Sequence, residues 1–335
     1  MVGSGTASAT SHTVLGASVR NRQGRPLWSV MIPTYECAGY LPAALEGVLG
    51  QDPGPEHMQI EVVDDCSTDD PKAVVDRYRG RASFHRQPQN VGHVANLNAC
   101  LARSKGELVH VLHGDDAVRP GFYAALEGAF ETPDVGAVFC RYIAMDDDGR
   151  WTAVAPLETG QDGVIEDWLE RIARWQRVQT PAMTVRRAVY EDLGGFDDRA
   201  GDAEDWEMWT RIAAHTRVFH VVEPLALYRV RSASLSRGTL RTGRNVENLR
   251  RVVDLNRESL PPDRREELTA AALEVIALTA LKRAKRFLGA GERDAARAQV
   301  REALRTSRST AVLERRAEHA AIAARRSILR ALGRR

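Results

Sequence analysis

The sequence predicts an α/β protein: a mostly parallel sheet flanked by helices, followed by a helical C-terminal region. Three observations predict it. Short apolar runs alternate with helical stretches through the first half of the chain, at roughly 25–30 residues per unit, as βα repeats do. Two acidic doublets, Asp64-Asp65 and Asp115-Asp116, directly follow two of these runs. Carboxylates so placed gather at the carboxyl edge of the sheet, where open α/β sheets bind ligands. Beyond residue 240 the strand signal ends, and Ala, Arg and Glu dominate.

Trp28 to Pro33 reads as the first strand, ended by Pro33, which has no N–H to give a ladder. Residues 40–50 read as a helix with Pro42 in its first turn. Gln59 to Asp64 is the second strand, and its Ile60, Val62 and Val63 suit burial on both faces. Asp70 to Tyr78 is a helix, with Pro71 near its start and Asp69 or Asp70 as cap. Ser83 to Arg86 is a short strand. Gly92 to Arg103 is a helix with Val94, Leu97 and Leu101 on one face. Glu107 to Leu112 is the next strand, Pro120 to Phe130 a helix, and Val135 to Tyr142 a strand.

From about residue 150 the pattern changes. Trp151 to Gly163 is turn-rich, Val164 to Trp175 a helix, and Ala188 to Leu193 a short helix closed by Gly194-Gly195. Glu204 to His215 is a helix, and Val218 to Val222 and Leu225 to Val230 are two strands. Pro261-Pro262 divides the helical tail. This gives a disordered segment over 1–26, an α/β domain over 27–240 and a basic helical region over 241–335.

Composition bounds the function. The chain has 335 residues, 43% hydrophobic and 27% charged, which is ordinary for a globular protein. Its net charge of +2 hides an asymmetry: residues 241–335 hold 23 Lys/Arg against 12 Asp/Glu, so the first 240 residues carry −9. An acidic body suits a cation-dependent site, and a basic tail suits an anionic surface or partner. Nucleic acid is disfavoured, because the tail lacks interleaved aromatics. The N-terminus lacks the charged start and apolar core of a signal peptide. The longest apolar stretch, Ala270 to Leu281, is interrupted by Glu274 and is too short to span a bilayer. Cys37, Cys66, Cys100 and Cys140 have no metal-ligand or redox spacing. Reduced thiols in a cytoplasmic protein follow.

Five segments carry chemistry. In Val63-Asp64-Asp65-Cys66-Ser67, an Asp can accept from a nucleobase N–H or a ribose hydroxyl, although turns and caps also explain Ser67 to Asp70. Asn90-Val91-Gly92 leads into a helix that carries Asn96 and Asn98. In His113-Gly114-Asp115-Asp116, a carboxylate just past a buried strand can hold Mg²⁺ or Mn²⁺ on a diphosphate, and Gly114 lets the backbone approach a ligand. Glu204-Asp205-Trp206 opens a helix, where acidic residues also suit the dipole. Asp205 beside an apolar wall can act as a general base on a hydroxyl. Trp206 and Trp209 are core or a face for a sugar ring. Arg229 and Arg231, with three serines, make a loop able to bind phosphate.

In order and spacing these motifs resemble the family 2 glycosyltransferases. The family's I-P-x-Y-N appears as Ile32-Pro33-Thr34-Tyr35-Glu36, and its V-D-D-x-S-x-D as Val63 to Asp69. Its N-x-G and A-x-x-N appear as Asn90 to Gly92 and Ala95 to Asn98. Its D-x-D-D appears as His113 to Asp116, its G-G-F-D as Gly194 to Asp197, its E-D as Glu204-Asp205, and its Y-R loop as Tyr228 to Ser236. The match covers roughly residues 27–238.

The resemblance implies a GT-A, Rossmann-like fold and inverting transfer of a sugar from a nucleotide-diphosphate donor, UDP-sugar favoured, to a hydroxyl acceptor. That acceptor is a glycan, a lipid-linked sugar or a small molecule, as in cell-surface polysaccharide assembly. It implies that Pro33, Thr34, Tyr35, Glu36, Asp65, Asn90, Gly92, Asn96, Gly114 and Asp115 bind the nucleotide. Asp115 and Asp116 hold Mg²⁺ or Mn²⁺, and Asp205 is the base. Gly195, Phe196, Glu204 and Trp206 face the sugars, and Arg229 and Arg231 the phosphates.

Three departures stand out: Glu36 for the usual Asn, His113 for the first Asp, and Arg231 where the family often has His. Two other readings compete. His113 and Arg231 motivate a nucleotide-sugar binding protein that has lost catalysis. A nucleotidyltransferase would want a Gly-rich basic loop after the first strand, and residues 34–42 offer none. For the tail, Arg325, Arg326, Arg330, Arg334 and Arg335 motivate peripheral contact with an anionic inner-membrane face. A homodimer interface or a solvated helix face are the alternatives.

Overall fold

The computed structural model describes residues 24–78, 80–231 and 235–318. Ten strands form one sheet: β1 (Trp28–Thr34), β2 (Met58–Asp64), β3 (Ser83–Arg86), β4 (Leu108–Val111), β5 (Ala117–Val118), β6 (Val135–Met145), β7 (Trp151–Val154), β8 (Gly163–Val164), β9 (Met183–Arg186) and β10 (Arg217–Arg229). Their order is β3-β2-β1-β4-β9-β6-β10-β5, with β7 on β6 and β8 on β10. The helices are α1 (Leu41–Leu49), α2 (Pro71–Val75), α3 (His93–Arg103), α4 (Phe122–Ala129), α5 (Trp168–Arg174), α6 (Arg187–Leu193) and α7 (Glu204–Ala213). After these come α8 (Leu235–Thr242), α9 (Arg244–Asn256), α10 (Arg265–Gly289) and α11 (Arg293–Thr306).

The parallel half follows from its apolar runs. β1 pairs in parallel with β2 and β4, and β2 with β3. Every residue of β1 is buried, as a strand covered on both faces requires. The second half holds the antiparallel strands of this mostly parallel sheet. β9 runs antiparallel between β4 and β6. β5, β7 and β8 are antiparallel as well. These strands are two to four residues long, too short for a periodicity to show.

Two other expectations change. The two strands read around Pro224 are one, β10, which passes the proline through a register shift against β6. α5 starts at Trp168 rather than Val164, because Gly163-Val164 pair with Phe219 and His220, and Ile165 N donates to Val218 O.

One apolar core runs from the sheet into the C-terminal helices. Trp28, Ile32, Phe122, Trp206 and Trp209 share it with Val246, Val252 and Val253 of α9, and with Ile276, Ala277 and Leu281 of α10. Among the described residues, no helix is long and apolar enough to cross a membrane. Residues 1–23 of the segment expected to be disordered, and Arg325, Arg326, Arg330, Arg334 and Arg335, lie outside the described residues.

What positions the site is the stitching of loops at the carboxyl edge. Thr34 and Asp64, the last residues of β1 and β2, are register partners. Just beyond them Asp65 N donates to Thr34 O at 2.9 Å, and Gly114 N donates to Pro33 O at 3.0 Å. A Cβ on Gly114 would sit 2.7 Å from Thr34 Oγ1 and 3.0 Å from Cys37 Sγ, so only glycine allows this approach.

Candidate active site

The loop after β2 is filled by its own chain. Asp64 Oδ1 accepts from Ser67 N (3.1 Å) and Ser67 Oγ (2.5 Å), and Asp64 Oδ2 takes Arg86 Nη1 at 2.6 Å. Asp65 Oδ1 and Oδ2 accept the backbone N–H groups of Val91 (2.7 Å) and Gly92 (3.0 Å). Asn90 Nδ2 donates to Asp65 O. Asp65 therefore shapes the Asn90–Gly92 loop. Glu36 closes the rim: its carboxylate accepts from Thr68 N at 2.8 Å and from Thr68 Oγ1. Its N–H donates to Ser67 Oγ. Beside it Tyr35 is 49% exposed.

The loop after β4 is not filled. His113, Asp115 and Asp116 each offer a ligand atom, and these atoms lie within 4.8 Å of one another. His113 Nε2 and Asp116 Oδ2 are buried polar atoms without a hydrogen-bond partner among the described residues. Buried orphans are rare in proteins. Burial pushes the Asp116 carboxyl well above the usual carboxylate range, and the Asp115 charge beside it adds to the rise. Burial raises Asp115 too, against the pull of Arg231, whose Nη1 lies 3.5 Å from Asp115 Oδ2. His113 is pushed down to about 3, first by burial and then by His93 and His110. A neutral imidazole keeps a lone pair for a metal. One imidazole and two crowded carboxylates thus fit a divalent cation. The sequence reading treated His113 only as a departure; the geometry makes it a third member of the set.

The remaining wall comes from α7. Asp205 Oδ1 accepts from Trp206 N at 2.7 Å, and Asp205 Oδ2 accepts from Gln176 Nε2 at 2.5 Å. Burial raises its carboxyl well above the usual range, and Glu204 adds to the rise. Glu204 Oε1 meets His93 Nε2 at 2.8 Å. The ring of His93 packs edge-on to His113, centroids 5.3 Å apart. Burial raises the Tyr228 hydroxyl, and the charges of Asp116, Asp205 and Asp115 add to the rise. His93 and Gln176 carried no functional signal in the sequence, because their partners are remote along the chain.

Several residues expected to touch ligand are occupied in the fold. Asn96 Nδ2 donates to Val63 O, its Oδ1 accepts from Gln87, and it is buried, so it latches α3 to β2. Trp206 is fully buried with Nε1 donating to Ile172 O, which makes it core rather than a sugar platform. Phe196 is core as well, its backbone N–H and C=O both held by Asn98. Gly195 lies where a Cβ would collide with that Asn98 side chain.

Arg229 is likewise taken. Its N–H donates to Asp116 Oδ1, Nε to Asp115 O, and Nη1 to Asp146 O and Asp147 O. Arg231 remains at the site, with Nη2 on Glu36 O.

Comparison with known proteins agrees with this architecture. The model of the family described as Glycosyl transferase family 2 matches residues 29–194. An uncharacterized protein of Mycobacterium tuberculosis is 30% identical over 241 residues, covering 68% of this chain and 75% of its own. The solved structure of Staphylococcus aureus TarS 1-349 in complex with UDP-GlcNAc superimposes with a TM-score of 0.59 at 17% identity, over 82% of this chain and 90% of that one. Mannosyltransferase PcManGT from Pyrobaculum calidifontis, in complex with GDP-Man and Mn²⁺, has a TM-score of 0.55 at 20% identity. That match covers 91% of this chain and 82% of the other. At these identities the structures speak to the fold, which is of the GT-A kind.

Proposed function

This chain belongs to glycosyltransferase family 2, and from that premise we propose that it transfers a sugar from a nucleoside-diphosphate donor to an acceptor hydroxyl with inversion. A UDP-sugar is the favoured donor; the acceptor is a glycan, a lipid-linked sugar or a small molecule. The observation that carries the reading is the second acidic doublet: Asp116 buried and Asp115 half-buried, mutually repelling, and with Asp116 Oδ2 and His113 Nε2 lacking a hydrogen-bond partner among the described residues. Protein groups left so are compensated by what binds there.

In this reading the nucleoside lies against Tyr35, between the Pro33–Glu36 rim and the Asn90–Gly92 loop that Asp65 holds. His113, Asp115 and Asp116 would hold the divalent metal, and the imidazole tilts the set from Mg²⁺ toward Mn²⁺. When bound, the metal neutralises charge on the departing diphosphate. Arg231, paired with Asp115, is placed to turn to a phosphate oxygen. Asp205 takes the proton of the acceptor hydroxyl as its oxygen attacks the anomeric carbon, and the bond to the diphosphate breaks on the opposite face. Glu204, expected at the sugars, stands behind the base Asp205 in this reading.

The test is a calorimetric panel of UDP, dTDP, GDP and CMP with and without Mn²⁺, followed by donor turnover. UDP binding that requires Mn²⁺, with sugar transfer or donor hydrolysis, is the expected result. Nucleotide binding with no turnover of any donor would favour the impaired binding protein. No nucleotide binding at all would remove the reading.

A further inference from the structure

We propose that His93 is a positioning residue for the transfer: through Glu204 it ties the loop beside the donor to the turn of α7 that carries the base. The inference rests on the glycosyl-transfer reading of this site. Three observations lead to it.

First, His93 is fixed on the donor side. It is the first residue of α3, directly after Gly92, whose N–H is held by Asp65 Oδ2 at 3.0 Å. Gly92 has φ 90°, so the chain reaches α3 through a turn that favours glycine.

Second, Glu204 depends on His93. The Glu204 side chain is 6% exposed, and among the described residues its only hydrogen-bond partner is His93 Nε2 at 2.8 Å. A buried carboxylate that loses its one partner must move or draw in water, because an uncompensated buried charge is costly.

Third, no N-cap side chain holds the start of α7, so its first turn depends on tertiary ties, His93 on Glu204 and Gln176 on Asp205. Its N-cap is Ala203, which makes no side-chain capping bond. The preceding turn is broken by Gly201, with φ 69°. Helix starts are ordinarily tied by a capping side chain, and here the tie is tertiary. Asp205 is the next residue, and its aim follows the turn that Glu204 anchors. The tie also joins the two halves of the site, since Asp65 sets the loop from which His93 projects.

The test compares wild type with His93→Ala, His93→Gln and Glu204→Gln, using the donor that turns over in the nucleotide panel. Gln keeps an N–H donor of similar reach. His93→Ala is expected to lower kcat about tenfold or more while donor KM stays within about twofold, because the loss falls on the aim of the base. His93→Gln should recover most of that loss. The double variant His93→Ala/Glu204→Gln should lose about as much as His93→Ala alone, as coupled residues do.

Amide hydrogen exchange over residues 200–207 supplies a second readout, faster in His93→Ala and near wild type in His93→Gln. Unchanged kcat in His93→Ala, a loss confined to donor KM, or no recovery in His93→Gln would overturn the proposal. If wild type turns over no donor, the glycosyl-transfer reading falls and the exchange experiment alone decides the tie. Equal exchange in wild type and His93→Ala would then end it.

Discussion

Asp64-Asp65 and Asp115-Asp116 stand at one edge of one sheet, and they differ in what satisfies them. Asp64 and Asp65 accept from Ser67, Arg86, Val91 and Gly92, all within the chain. Among the described residues, the Asp115 side chain has the longer pair to Arg231, and Asp116 gives one oxygen to Arg229 N while the other has no hydrogen-bond partner, His113 Nδ1 standing 3.7 Å away. The same two letters in the sequence thus make architecture in one loop and crowded, poorly compensated charge in the other. Counting carboxylates does not separate the two cases; accounting for each lone pair does.

That contrast can be broken by substitution. The largest effect is expected from Asp116→Asn or Asp115→Asn, which should lower kcat roughly 10²–10³-fold, the range seen when one electrostatic stabiliser is removed. The Mn²⁺ response should vanish while the circular dichroism spectrum is kept. Wild-type activity in either variant would place the metal elsewhere.

Asp64→Ala should act the other way, on stability. It strands buried donors of Ser67, at about 1–3 kcal/mol per group left without a partner. Urea denaturation should show the midpoint falling, while the folded fraction keeps near-normal kcat. A kcat loss larger than the unfolded fraction explains would mean that Asp64 touches ligand.

The third prediction concerns pH. The Asp116 carboxyl is raised in the folded state, so above the unfolded value of roughly 3.9 the folded protein binds more protons than the unfolded chain. Its contribution to stability is therefore present at low pH and lost as pH rises through the raised value. Metal-free thermal melts should decline across that window, Asp116→Asn should flatten the decline, and Mn²⁺ should raise Tm more at pH 8 than at pH 5. A metal-induced shift independent of pH would argue against a crowded carboxylate pair.

The smallest effect is expected from Asp65→Asn, which keeps the shape but replaces one of the two oxygens that accept from Val91 N and Gly92 N with an NH2 that cannot accept. UDP affinity should fall by roughly tenfold, about 1.4 kcal/mol. A loss as large as that of Asp115→Asn would erase the distinction between the loops.

Much of the first half was legible because buried parallel strands announce themselves as unbroken apolar runs. Ile60, Val62 and Val63 led straight to the edge where Asp64 stands. The second half was less so. β9 has four residues and β5 two, so neither shows a period. Within the site, sequence could show that His113 stands where an acid is usual. It could not show that its Nδ1 lies 3.7 Å from Asp116 Oδ2 with its Nε2 buried, because that follows from packing. For Asn96 and Trp206, residue type suggested ligand contact, and tertiary hydrogen bonds to Val63 O and Ile172 O used them first.

The reversed direction of β9 has an evolutionary consequence. β6 leaves the sheet at the ligand edge and β9 re-enters from the same edge, so residues 146–182 form a closed detour. Length changes in its loops can reshape the rim without altering the order of the sheet. The detour stays pinned where Gln176 meets Asp205, where Ile172 O accepts from Trp206 and where β7 and β8 pair with β6 and β10, so drift is confined to the loops between.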